Sequence, residues 1–186
     1  MTAGAVLALV YTAGWIPLFA LRAESVHVSL PHYDTWRERA SVILSVVAMS
    51  THVTATCLTI TFMKALPPVA TAASLAIFAA GLGLWLWGRI LISPLFTQRL
   101  PEEAPPVLQT GGAFGIVRHP LFLGMLVAAG APLLVAPRIF LALTFVLCCL
   151  ALALQAVQEE ARLHAQLGEP YAAYCLEVKR LIPWVW

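Results

Sequence analysis

Long apolar runs alternate with short polar segments along the chain. The apolar runs cover roughly residues 3–21, 40–63, 69–93, 120–135 and 139–156. A helix needs about 20 apolar residues to cross a bilayer, so each run is a candidate transmembrane helix, although the last two are rather short and favour a tilted position. The pattern predicts an all-α integral membrane protein with about five transmembrane helices.

Prolines, glycines and charges predict where these helices begin and end. Pro120 suits the first turn of the fourth helix, where its missing N–H costs nothing. Only residues 136–138 separate the fourth and fifth runs, which predicts a tight helical hairpin. The fifth helix should continue out of the bilayer to about Leu167, with Gly168 as its stop and a short helix over 170–179 after it.

This organisation divides the chain into two regions. Residues 1–93 form a three-helix membrane region. Residues 94–186 hold a polar loop, the membrane hairpin and a cytosolic helical tail, and this second region is expected to bind a cofactor. Arg22 follows the first apolar run rather than preceding it, so we interpret that run as a retained membrane helix and not a signal peptide.

The composition supports a membrane protein and excludes some functions. Apolar residues make up 61% of the chain and charged residues 11%, whereas soluble domains are near half apolar and a quarter charged. No basic tract with interleaved aromatic residues is present, so nucleic acid is not an expected partner. The four cysteines form no CxxC pair, which favours an apolar packing role over a metal site.

The basic residues predict the orientation of the bundle. If the N-terminus lies outside, nine basic residues collect on the cytoplasmic side and two on the outer side. The nine are Arg22, Arg37, Arg39, Arg89, Arg99, Arg118, Arg162, Lys179 and Arg180, and the two are Lys64 and Arg138. The positive-inside rule therefore predicts an outer N-terminus and a cytoplasmic C-terminus. The excess of arginine over lysine fits a GC-rich bacterial genome, hence an inner membrane.

Two polar clusters flank the hairpin. The first is Arg118-His119 before Pro120, beside a helix N-terminus whose free N–H groups suit a carboxylate. An interfacial pair reaching for lipid headgroups explains it equally well. The second cluster pairs Gln155 with Glu159, four residues apart on one helix face.

Two further residues of the second cluster share a neighbouring face. They are Glu160 and His164, which we interpret as a surface pair on a solvated helix end. The hairpin, however, should return Glu159 to the level of Arg118 and His119. A carboxylate, a guanidinium and an imidazole meeting at one membrane edge are a stronger sign of function than any of them alone.

An ordered set of motifs in the C-terminal region resembles a known family. It comprises Arg118-His119-Pro120 with Gly124, Glu159-Glu160, residues 167–174 (LGEPYAAY), Arg180 and Pro183. The set resembles the isoprenylcysteine carboxyl methyltransferases and their phospholipid-methyltransferase relatives. The resemblance covers about residues 106–186.

The resemblance implies a methyltransferase that binds S-adenosylmethionine on the cytosolic side and takes a lipophilic or lipid acceptor from the bilayer. The implied cofactor-binding residues are Val107, Leu108, Gln109, Phe114, His119, Pro120, Leu121, Phe122 and Glu159. Glu159 and Arg118 are the candidate catalytic residues, since a carboxylate can stabilise a cationic cofactor or accept a proton.

The chain departs from this family at three positions. Phe114 and Phe122 stand where the family usually has tyrosine, so stacking is kept and two hydroxyl hydrogen bonds are lost. Gln155, the candidate substrate-binding residue, stands where the prenylcysteine enzymes place an arginine that holds the substrate carboxylate. An amide cannot make that charge-assisted contact, so a prenylcysteine carboxylate is not the expected acceptor.

Two other functions are alternatives to methyl transfer. One is a steroid-reductase-like membrane oxidoreductase using NADPH. The acidic pair and the Leu-Gly-x-x-Tyr pattern that follows it argue against this function. The other is a non-enzymatic membrane scaffold or transport accessory. The lack of a buried acid or base midway along any span argues against a transport role. His52, at depth in the second span, is expected to hydrogen-bond between helices.

Overall fold

The described part of the chain is a bundle of six α-helices. The computed structural model describes residues 2–27, 35–97, 108–182 and 185, and no strand occurs among them. The α-helices are α1 Ala3–His27, α2 Trp36–Thr61, α3 Pro68–Thr97, α4 Pro120–Gly130, α5 Ile139–Leu167 and α6 Glu169–Glu177, with two short 3₁₀ helices at Gly112–Gly115 and Ala131–Leu134. The all-helical class predicted from the sequence is confirmed.

Local sequence signals explain several helix ends. α2 begins earlier than its apolar run because Thr35 and Glu38 form a capping box, which satisfies backbone N–H groups that the first turn leaves unpaired. α5 ends where Gly168 adopts a φ of 60°, a conformation that costs glycine little. Pro120 lies in the first turn of α4 as expected, and Gly168 ends α5 as expected.

Among the residues that the structure describes, three helices are long and apolar enough to cross a membrane. They are Trp36–Thr61, Pro68–Ile92 and Ile139–Leu167, and two shorter apolar helices cover Ala3–Pro17 and Pro120–Leu134. α4 is short because Pro132 lacks the N–H that would continue it, and the chain tightens into a 3₁₀ turn there. α5, by contrast, runs for 29 residues and is not short.

The hairpin predicted for α4 and α5 is more open than the sequence suggested. α4 packs along α3, and α5 packs along α2, while α4 and α5 contact each other much less. α3 and α4 cross closely at Gly81 and Gly124, since a Cβ atom added to Gly124 would lie 2.7 Å from the Gly81 carbonyl oxygen. Small residues allow such close backbone approach in membrane helices.

His52 connects the two helix pairs across the interior. Its Nδ1 lies 2.8 Å from the Thr144 hydroxyl of α5, and its Nε2 lies 2.8 Å from the Ala129 carbonyl oxygen of α4. A carbonyl only accepts, so Nε2 carries a proton and donates it. The interhelical hydrogen bonds predicted for His52 are therefore present.

The outer surface of the bundle is apolar. On α5, one face exposes large apolar side chains to the surroundings: Leu143, Val146, Leu147, Leu150, Leu154 and Val157. Soluble monomers rarely expose so continuous an apolar patch. This surface suits contact with lipid and supports the membrane assignment made from composition.

The close α3–α4 crossing predicts that Gly124→Ala destabilises the bundle. The added methyl group would lie 2.7 Å from the backbone nitrogen of Trp85 as well, so the helices must separate, at a cost of about 1–3 kcal/mol. Gly83→Ala in α3 is the matched control, because nothing lies within 4 Å of its added Cβ. Melting temperatures in detergent test this, and equal loss in both variants would contradict it.

Candidate active site

The candidate site lies where the start of α4 meets the end of the chain. The backbone N–H groups of Arg118 and His119 donate to the carbonyl oxygens of Lys179 and Arg180, at 2.8 and 3.0 Å. His119 precedes Pro120 and has φ −120° and ψ 64°, outside the α region, as the following proline requires. The tail after α6 is thereby held across the N-terminus of α4.

Glu160 is the centre of the site. Its Oε1 accepts hydrogen bonds from Arg118 Nε at 2.9 Å and His119 Nε2 at 3.2 Å, and its Oε2 accepts one from Arg180 Nη2 at 2.6 Å. The carboxylate side chain is only 6% exposed. A buried carboxylate is stable when donors surround it, so three segments distant in sequence are joined at one anion.

The sequence interpretation of the acidic pair is wrong on one point. Glu160 was expected to pair with His164 on the surface, whereas the structure buries it against Arg118, His119 and Arg180. His164 instead packs edge-on against Tyr171, with ring centroids 4.7 Å apart. Tertiary contacts with the tail outweigh a local helix pair, which contributes only a few tenths of a kcal/mol.

Arg118 also closes the end of α6. Its Nη1 donates to the carbonyl oxygens of Cys175 and Val178, at 3.1 and 2.5 Å. The last carbonyl groups of a helix have no partner within the helix, and a cation there is favoured by the helix dipole. Arg118 therefore has a structural task besides any catalytic one.

The hydrogen bond to Glu160 raises the pKa of Arg180, so that guanidinium group stays charged.

Tyr174 ties α6 to the loop before α4. Its hydroxyl donates to the Phe114 carbonyl oxygen at 2.6 Å. Burial raises the pKa of Tyr174 to about 12, although the Arg118 charge opposes this. The phenol therefore keeps its proton and remains a donor, which fixes the half-buried Phe114 next to the tail.

His119 lies between the two glutamates. Its ring stacks on Phe122 with centroids 5.3 Å apart and planes 7° from parallel. Nε2 contacts Glu160, while Nδ1 lies 3.8 Å from Oε2 of Glu159, which is 36% exposed. The structure thus brings Glu159 close to His119, as the sequence predicted for the hairpin ends, and Phe122 lies against the same imidazole.

The other predicted site residues lie at different places. Pro120 and Leu121 pack towards α3 at Gly88. Gln155 is buried one turn before Glu159 on α5, at 8% exposure.

Three further predicted positions precede the 3₁₀ helix at Gly112–Gly115. Leu108 and Gln109 are half-buried. Val107 lies outside the described residues.

Sequence reasoning missed Arg180 and Tyr174 as members of the site. Both belong to the motif set quoted above, but neither was expected to contact the hairpin. A signal was available, since Arg180 is a charge just before the apolar end of the chain, where an unpaired charge would be costly.

The central position of Glu160 predicts that Glu160→Gln destabilises the folded protein. Removing the charge leaves two guanidinium groups without their counterion, which should cost about 3 kcal/mol of stability. This value is at the low end for a buried ion pair, since the Arg180 side chain is 21% exposed and stays partly hydrated. Glu159→Gln is the control and should change the melting temperature little. Equal melting temperatures for the two variants would contradict the central role of Glu160.

Comparison with known proteins identifies one curated relative. Methanethiol S-methyltransferase from a Pseudomonas species (strain GM41) is 28% identical over 201 aligned positions, which cover 95% of this chain and 74% of the relative. No family model and no solved structure matches the chain. The chain is thus a distant homologue of a methyltransferase, and neither the oxidoreductase nor the scaffold alternative is favoured.

Proposed function

We propose that the protein transfers a methyl group from S-adenosylmethionine to a small, lipophilic acceptor at the cytoplasmic edge of the membrane. The observation that carries this proposal is the relative named as a methanethiol S-methyltransferase, whose match covers 95% of the chain. The match therefore includes most of both clusters and is not confined to the apolar helices. By analogy with this relative, the acceptor that we propose is a small apolar thiol.

The side chains at the site suit the methyl donor. S-adenosylmethionine carries a sulfonium and an ammonium, both cationic, and supplies an electrophilic methyl group when bound. Glu159, 36% exposed, is the carboxylate still open to such a cation. Glu160 already accepts from three protein donors. Half-buried Phe114 and Leu108 offer apolar surface for the adenine ring.

The surroundings of Gln155 favour an uncharged acceptor. Gln155 is buried next to Leu152 and Ala156, which are fully buried on the same helix. No positive charge stands at the position where the prenylcysteine enzymes hold a carboxylate. Exposed Leu154 and Val157 lie on the adjoining lipid-facing surface of α5, so a lipophilic molecule has an apolar route along the helix to the site.

The charge distribution supports a cytoplasmic position for this site. Arg118 and Arg180 belong to the nine basic residues that an outer N-terminus would place on the cytoplasmic side. A soluble methyl donor made in the cytoplasm would then reach the site from water, while the acceptor arrives from lipid. With α1 and α4 counted as spans, the proposed arrangement has five crossings in the inner membrane.

We expect the purified protein to bind S-adenosylhomocysteine and not NADPH. Glu159→Gln should weaken that binding roughly ten- to a hundredfold, because it removes a charge-assisted contact with the ammonium group that the donor and its product share. Glu177→Gln, which removes an exposed carboxylate on α6, is the matched control and should bind as the wild type does. Calorimetry in detergent measures all three. Stabilisation by NADPH alone would refute the proposed function.

We expect Gln155→Arg to lower turnover of an alkanethiol. A guanidinium at this buried position is costly to desolvate. One turn from Glu159, it would also pair with the carboxylate that is proposed to face the methyl donor. Gln155→Leu, of similar size and uncharged, is the control and should retain more activity. The measurement is thioether formation with methanethiol. Faster methylation of a prenylcysteine carboxylate than of a thiol by the wild type would show that the acceptor is wrongly assigned.

A further inference from the structure

His119 has the geometry of a base that is held by a carboxylate. Its side chain is 5% exposed, and its ring stacks on Phe122. Its backbone N–H donates to the carbonyl oxygen of Arg180 in the tail. The two ring nitrogens face different groups, Glu160 at Nε2 and Glu159 at Nδ1. This asymmetry defines which nitrogen is free to react.

The contact with Glu160 sets the tautomer. Oε1 of Glu160 already accepts from Arg118 and only accepts when ionised, so the 3.2 Å contact requires a proton on Nε2 of His119. In a neutral imidazole, Nδ1 then carries the lone pair. Nδ1 is 3.8 Å from the Glu159 carboxylate, too far for a hydrogen bond.

We propose that His119 Nδ1 is the general base that removes the acceptor's proton, an inference that rests on the proposed thiol methyl transfer. The thiol S–H bond breaks and its proton passes to Nδ1. The sulfur forms a bond to the donor's methyl carbon while the carbon–sulfonium bond breaks, and that electron pair stays on the departing thioether sulfur. The products are a methyl thioether, S-adenosylhomocysteine and an imidazolium.

The neighbouring charges suit this proton transfer. Glu160 faces the Nε2–H and stabilises the imidazolium, in the manner of the carboxylate of a hydrolase triad. Glu159 faces Nδ1, and its partial exposure gives the proton a route to water. Arg118 and Arg180 are both bound to Glu160, so that carboxylate offsets part of their charge near His119.

A base is needed here because thiols are poor nucleophiles until ionised. The thiolate, and not the thiol, attacks a methyl group, and an alkanethiol is mostly protonated at neutral pH. An aromatic thiol such as thiophenol is already largely ionised and needs no base. A variant that has lost only proton removal should therefore slow methylation of an alkanethiol much more than methylation of thiophenol. A variant that has lost another role, such as donor binding, should slow both reactions equally.

The experiment compares wild type with His119→Gln at saturating S-adenosylmethionine, using methanethiol and thiophenol as acceptors. The glutamine amide can take the place of Nε2 and keep the hydrogen bond to Glu160, but it offers no base at the Nδ1 position. We expect a loss of about 10²–10⁴-fold with methanethiol and less than about tenfold with thiophenol. His119→Asn, whose amide lies nearer the Nδ1 position, should lose the Glu160 contact and melt at a lower temperature.

A second measurement does not depend on turnover. When methanethiol is added to the complex of the wild type with S-adenosylhomocysteine, the ultraviolet absorbance of the thiolate should appear, and it should be absent in His119→Gln. Equal losses with both thiols, or thiolate absorbance in the variant, would overturn the role of His119 and leave the proposed function standing. A wild type that methylates neither thiol would overturn both.

Discussion

A buried anion, the Glu160 carboxylate, holds one end of this bundle together. Glu160 on α5 accepts hydrogen bonds from Arg118 and His119, at the start of α4, and from Arg180 in the tail. None of these segments is adjacent in sequence, and α4 and α5 make few other contacts. Because a buried carboxylate loses its hydration, it requires these partners. The same requirement fixes the relative positions of the two arms of the hairpin, and with them the candidate site between them.

Much of the fold follows from short-range features of the sequence. Apolar runs predicted the helices, and Pro120 and Gly168 predicted two of their ends. The short connection at 136–138 predicted that Glu159 would return to the level of His119. These features act within a few residues, so they can be recognised from sequence alone. The extension of α2 to Trp36 depends on a capping box at Thr35, which is equally local.

The contacts that sequence reasoning missed are all long-range. Local helix spacing paired Glu160 with His164, but the partners of Glu160 lie 20 or more residues away in the chain. The hydropathy pattern does not show which helices pack together, and the pairing of α3 with α4 depends on glycines at one crossing. Which of two adjacent glutamates is buried depends on an angle of about 100° around a helix. Polar and apolar residues are mixed around both positions, so the sequence leaves that angle undecided.

In the proposed function, the two glutamates divide structural and chemical work between them. Glu160 is saturated with donors and therefore rigid, whereas Glu159 is partly exposed and 3.8 Å from the nearest nitrogen of His119. A site that binds a cationic donor needs a carboxylate that is not already neutralised, and a site that orients a histidine needs one that does not move. Placing both on consecutive residues turns them to different sides of α5, so the imidazole between them has one nitrogen held and the other open. Because Glu160 is paired with Arg118 and Arg180, the bundle holds His119 in place without leaving that buried charge unpaired.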